Sequence, residues 1–122
     1  MARAFLFAVF VLGSALTANP NTAQAAVFDG SWNVLIVTES GTCDRGFRYD
    51  VKIANGQVAY AGNASIDLSG TVAANGAVKV SISNGEQSAN GTGRLSATSG
   101  EGTWRGKGSA GECRGRWQAE RR

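Results

Sequence analysis

Histidine is absent from this 122-residue chain, and methionine occurs once, at Met1. Histidine is the commonest general base near neutral pH and a frequent ligand of zinc and haem iron, and the methionine thioether is another haem ligand. Without histidine, only a lysine could activate a serine nucleophile. We therefore expect a protein that is not an enzyme and that holds no cofactor and no metal.

Paired carboxylates are the remaining route to catalysis, because a glycosidase site needs two acids that converge on one cleft. Most Asp and Glu residues fall on the outward phase of predicted strands or in turns. Glu101 and Glu112 flank one predicted strand and could lie close together. The alternative is that both are solvated surface acids.

Long apolar runs are also scarce, and the longest lies at the N-terminus. Met1-Ala2-Arg3 is followed by an apolar run, Ala4–Leu16, and by the small-x-small pattern Ala23-Gln24-Ala25, which is typical of a cleavable secretory signal peptide. The run is shorter than the roughly 20 residues of a spanning helix. We predict that residues 1–25 are removed and that residues 26–122 form one domain, exported to the periplasm or the extracellular space with no membrane span.

The only two cysteines are Cys43 and Cys113. An exported protein meets an oxidising compartment, so an even number of cysteines predicts a disulfide between them. A bond that closes a loop of this length stabilises the fold by about 4 kcal/mol in the chain-entropy model. The alternative, a metal or nucleophile site, would need a histidine or a second cysteine pair.

No segment has a helical period, whereas apolar and polar residues alternate repeatedly with a period of two. Asn-Gly pairs at 55–56, 75–76 and 84–85 indicate tight hairpin turns. Residues 97–101 are predicted to form a loop. The predicted strands are 32–38, 47–53, 58–60, 66–72, 78–83, 87–97, 102–108 and 113–120.

About eight short antiparallel strands with tight connections favour a meander that closes on itself and so removes its edges. Cys43 follows the first strand and Cys113 begins the last, so their disulfide would join the two strands that close the barrel. We predict an all-β fold, a small up-and-down barrel. A β-sandwich is the alternative.

Aromatic side chains on the apolar phase of these strands are the candidate interior site. They can fill the core or offer faces on which a ligand stacks, and any cavity among them would be small and apolar. The candidates are Trp32, Tyr49, Tyr60, Trp104 and Trp117.

Charge is small overall, at +3 for the full chain, but it is unevenly placed. Residues 91–122 hold seven Lys and Arg against three Glu. This predicts a basic face for an acidic partner, and the alternative is a solvated surface of alternating charges. The net charge is too small to indicate a nucleic acid. The basic-face candidates are Arg105, Lys107, Arg114 and Arg116.

Short motifs resemble those of known barrels. Gly30-Ser31-Trp32 resembles the Gly-x-Trp opening of lipocalin and avidin-like barrels, in which the Trp closes one end of the cavity, and Gly102-Thr103-Trp104 repeats it. The stretch 104–108, Trp-Arg-Gly-Lys-Gly, is similar to one in periplasmic lysozyme inhibitors, with the basic residue displaced by one glycine.

From residues 28–32 through residues 102–106 to Cys113 and Trp117, the chain also resembles a family of small exported proteins from alphaproteobacteria. Members are sometimes labelled as exoproteins for haem utilisation or adhesion, and no function is characterised for the family. In this chain only Tyr49 or Tyr60 could ligate haem iron, and both lie on the apolar phase of strands. A place in the core is therefore expected for both.

These observations favour an exported, monomeric, non-enzymatic binding module that contacts a protein or a glycan at the cell envelope. One alternative is an inhibitor of a secreted hydrolase such as a lysozyme or a peptidase. Another is a carrier of a small apolar ligand.

Overall fold

A computed structural model describes residues 26–122, so the predicted signal peptide lies outside the described residues. Eight antiparallel strands form a closed barrel in which each strand pairs with the next and the last pairs with the first. A short 3₁₀ helix, Ala26–Phe28, precedes them. The strands are β1 (Gly30–Ser40), β2 (Gly46–Ala54), β3 (Gln57–Tyr60), β4 (Asp67–Val72), β5 (Ala77–Asn84), β6 (Gln87–Leu95), β7 (Ser99–Gly108) and β8 (Gly111–Arg121). The predicted barrel is confirmed, and the sandwich alternative is wrong.

All three Asn-Gly pairs lie at hairpin connections, but only Asn55-Gly56 supplies both central residues of its turn, since the other two turns are centred on residues 74–75 and 85–86. Asn55 and Gly56 connect β2 to β3 with φ angles of 52° and 74°, which is the backbone that a two-residue hairpin turn requires. Gly76 and Gly85 also have positive φ, at 88° and 62°. These turns set the register of the hairpins.

One predicted loop is wrong. Residues 97–101 were expected to be irregular, but β7 begins at Ser99, and the connection from β6 covers only residues 96–98. The stretch has no apolar alternation to signal a strand. Glu101 nevertheless pairs with Arg94 on β6 and with Gln118 on β8, so its backbone lies in the sheet between two neighbouring strands.

The predicted disulfide is confirmed and lies beside the strand pair that closes the barrel. Cys43, in the β1–β2 loop, bonds to Cys113 near the start of β8, with 6.1 Å between the Cα atoms. Strands β1 and β8 pair from Trp32 to Ser40, with a bulge between Thr38 and Ser40. The bond therefore fixes the β1–β2 loop to the strand on which the barrel closes.

One end of the barrel is closed around Trp32, whose side chain is 1% exposed. Its indole N–H donates to the Phe28 carbonyl at 2.8 Å. The Arg121 guanidinium lies 4.8 Å from the ring centroid and donates to the carbonyls of Asp29 and Val27, each at 2.6 Å. This cation–π contact and these hydrogen bonds tie the last strand to the 3₁₀ helix.

Two further indoles each cross a strand at a glycine. The Trp117 N–H reaches across β7 at Gly102 and donates to the Thr92 carbonyl at 3.1 Å. The Trp104 N–H reaches across β8 at Gly115 and donates to the Val37 carbonyl at 3.1 Å. A glycine is required at both crossings because an added Cβ would meet the neighbouring backbone.

Replacing both cysteines with serine should lower the free energy of unfolding by about 4 kcal/mol, because the unfolded chain loses its cross-link. Denaturant titration of the two proteins measures the difference, and alkylation of the wild type without reductant should reveal no free thiol. Two free thiols in the wild type would contradict the assigned disulfide.

The substitution Gly102→Ala should lower the free energy of unfolding by about 2 kcal/mol or more, since the added Cβ would collide with both the Thr92 carbonyl and the Trp117 ring. Gly46→Ala is the matched control, because its Cβ would meet only the Ile36 carbonyl, at 3.9 Å. Thermal unfolding compares the two variants. Equal melting temperatures would show that the glycine at the crossing is not required.

Candidate functional site

The inner face of the barrel is packed tightly at the closed end. The residues there are buried and apolar, and most are β-branched, which suits a pleated surface. They surround Trp32 and the ring of Phe28. They are Val51, Ile53, Val58, Val72, Val78 and Leu95.

These buried residues also line the inner end of a cavity, and towards the other end the barrel is hollow. A cavity of about 280 Å³ runs along the axis and is open at the end that carries the disulfide. Its inward side chains at that end are apolar but only partly buried, so they lack the packing partners of those at the closed end. They include Val34, Ile36, Leu68, Val80 and Ala89.

Aromatic rings form one wall of the open end. Phe47 is 44% exposed, although it lies on the inward phase of β2. Its ring centroid is 4.6 Å from that of Tyr49, and Tyr49 meets Tyr60 edge-on at 6.3 Å. An exposed aromatic side chain beside an open apolar cavity offers apolar surface that a bound ligand would bury.

Four of the five aromatic candidates line the cavity, namely Trp32, Tyr49, Trp104 and Trp117. The exception, Tyr60, lies behind Tyr49, and its hydroxyl accepts a hydrogen bond from the Ala64 N–H at 3.2 Å. All three indole N–H groups bond to backbone carbonyls within the protein. The tryptophans can therefore offer a ligand their ring surfaces only.

Polar groups are confined to the rim of the cavity. The Thr38 hydroxyl donates to the Asp44 carbonyl at 2.6 Å, and the Thr38 backbone N–H donates to the Arg45 carbonyl at 3.0 Å. With the disulfide, these bonds hold the β1–β2 loop at the opening. Lys107 also lies at the rim.

The basic-face candidates lie on the outside of β7 and β8. Arg105 and Arg114 are directly opposite each other, Arg116 is opposite Thr103, and Lys107 is opposite Glu112. All four are exposed. The structure thus brings three arginines together and places the lysine beside an acid.

Glu101 and Glu112 do not form a carboxylate pair, and both side chains are exposed, in agreement with the alternative of two solvated surface acids. Glu101 is opposite Gln118, whereas Glu112 is opposite Lys107, six positions further along β7. At about 3.3 Å per residue the two acids are roughly 20 Å apart. Within residues 26–122 no group of three or more Cys, Asp and Glu residues could hold a metal ion.

Arg121 is the structural residue that sequence reasoning missed. Its role depends on the last strand ending beside the 3₁₀ helix, which no local sequence pattern indicates.

In the described part of the chain, no helix has the length and apolar character needed to cross a bilayer.

Comparisons with protein-family models, with curated proteins and with solved structures found no match to this chain.

Burial raises the pKa of the Tyr49 phenol above its usual value of 10.0, and Tyr60 and Asp44 add to the increase. The unfolded chain loses this proton at a lower pH than the folded protein, so raising the pH through 10.0 favours unfolding. Wild type should lose stability more steeply than Tyr49→Phe between about pH 9 and pH 11. Parallel curves of denaturant midpoint against pH would contradict this.

Proposed function

We propose that this chain is an exported, non-enzymatic β-barrel that binds a small apolar molecule in its open cavity. The observation that carries the proposal is the contrast along the barrel axis. Trp32 and the buried residues around it line the inner end of a cavity of about 280 Å³, and partly exposed apolar side chains line the rest of it towards the open end. A protein needing only a stable core would gain by filling that void, since each unfilled volume costs packing energy.

The size and chemistry of the cavity limit the ligand. A volume of 280 Å³ equals on the order of nine water molecules, which suits a ligand, or the apolar part of one, of roughly ten non-hydrogen atoms. Its walls offer methyl groups and aromatic faces, and its polar groups lie at the rim. The ligand is therefore apolar in the part that enters, with any polar group at the opening.

The tyrosines support this proposal more than they support haem binding. Tyr49 is packed between Phe47 and Tyr60 in the aromatic wall, and the Tyr60 hydroxyl is held by the backbone of Ala64. The two side chains are thus used in packing. A lipocalin-like mode of binding agrees with Trp32 closing the far end of the cavity.

Hydrolase inhibition stays a prediction. The stretch that is similar to lysozyme inhibitors lies in β7, where Trp104 faces inward and Arg105 faces outward. It is not an exposed loop that could enter an enzyme cleft.

Naphthalene, with ten carbon atoms, is a suitable probe, and we expect a Kd on the order of 0.1 mM. Binding should shift the NMR methyl signals of Leu68 and Val80. The variant Ala89→Phe should abolish these shifts, because its ring would occupy the cavity, whereas Ala59→Phe on the outer face of β3 should leave them unchanged. Native mass spectrometry of the protein purified from its own host should then show a bound small molecule.

Two results would overturn the proposal. One is the absence of any methyl shift at saturating naphthalene. The other is equal binding by Ala89→Phe and wild type, provided that Ala89→Phe keeps a folded NMR spectrum, because binding would then lie outside the cavity.

A further inference from the structure

Three arginines form a row on the outer surface of β7 and β8, which we call the arginine row: Arg105, Arg114 and Arg116. Arg105 and Arg114 are directly opposite across the two strands, so their Cβ atoms are about 5 Å apart. Arg116 is two positions along β8 on the same face, about 7 Å from Arg114. All three side chains are exposed.

Within residues 26–122, no carboxylate forms an ion pair with the arginine row within 4.0 Å, although Glu112 lies two positions from Arg114 on the same face of β8. The neighbouring cross-strand pairs do combine opposite charges, since Lys107 faces Glu112 and Arg94 faces Glu101. Across the described residues, the ion pair found within 4.0 Å joins Arg122 to Asp50, away from the row. Like charges directly opposite each other destabilise a sheet, so the arginine row lowers the stability of the fold.

The surroundings of the row are mostly polar. Asn90 is opposite Arg105 on β6, Thr103 is opposite Arg116 on β7, and Ser40 is opposite Arg114 on β1. The apolar exception is Val37, which is partly buried and lies opposite Arg116 on β1. The large apolar side chains that are exposed in residues 26–122 are Val27 and Phe47, and both lie at the ends of the barrel. The row therefore lacks the apolar anchor that membrane insertion or a protein hot spot would use.

From this arrangement we propose that the arginine row binds a polyanionic polysaccharide through its sulfate, phosphate or carboxylate groups. Each guanidinium presents a planar fork of N–H donors that matches such an oxyanion. The guanidinium groups of Arg105 and Arg114 face each other, and that of Arg116 lies further along β8, so the three suit a ligand with repeated anionic groups. Binding of such a ligand would relieve the repulsion between the arginines. The hydroxyl and amide groups beside them suit the hydroxyl groups of a sugar chain. This surface lies outside the barrel, so the inference does not depend on the cavity.

Heparin, a linear sulfated polysaccharide, is the probe, and binding is measured by calorimetry at several salt concentrations. Wild type should bind, with an affinity that falls steeply as salt rises. The triple variant R105S/R114S/R116S should bind at least tenfold more weakly, with a shallower dependence on salt. Its melting temperature should equal or exceed that of wild type, because a like-charge pair is removed.

The matched control is R48S/K52S/K79S, which removes the same number of charges from exposed positions on β2 and β5. It should bind heparin within about threefold of wild type. An equal loss in both triple variants would overturn the proposal, because binding would then follow net charge alone. Absence of heparin binding would also overturn it.

Vesicles containing anionic phospholipid distinguish a membrane from a polysaccharide. We expect weaker binding to these vesicles than to heparin, with little difference between the two triple variants. If the vesicles bind more tightly and R105S/R114S/R116S alone loses that binding, the partner is a lipid surface and the proposal is wrong.

Discussion

Three indole rings must fit inside a barrel of eight short strands, and each buried indole N–H needs an acceptor. Each indole bonds to a backbone carbonyl: Trp32 to the 3₁₀ helix, and the other two across an intervening strand. Those crossings require glycine, because any larger residue would collide with backbone or ring. The inner face of β6 to β8 therefore combines two indole rings with glycine and alanine. The most deeply buried residues lie at the closed end, and the open end remains hollow.

This arrangement explains how one strand contributes to two surfaces. In β7, Trp104 points into the barrel and Arg105 points out of it, while Gly106 faces inward against Ala89. The period of two assigns the apolar rings to the cavity and the charges to the exterior. The proposed ligand and the proposed polysaccharide would therefore meet different faces of the same strands.

Much of the fold could be predicted from local patterns. Alternation marked most of the strands, and Asn55-Gly56 marked a turn that both φ angles confirm. Cys43 and Cys113 indicated which strands close the barrel. Local patterns failed at Ser99–Glu101, where pairing on both sides makes a strand from residues with no apolar signal.

The candidate site was less predictable, because it depends on volume and on distant contacts. The inward aromatics were identified, but no sequence pattern reports whether their volumes fill a barrel. Phe47 reads as a core residue and is 44% exposed. The Arg121 contact with Trp32 joins residues at opposite ends of the described chain. The arginine row likewise depends on the β7–β8 register, which places Arg105 directly opposite Arg114.

The most direct test of the account is a crystal structure of residues 26–122 under xenon pressure, because xenon occupies cavities that are apolar and empty of water. Xenon is expected between the aromatic wall of β2 and the side chains of Val80 and Ala89, with the rings of Trp32 and Phe28 still packed beneath it. A cavity filled by collapsed side chains, or by an ordered water network that excludes xenon, would contradict it.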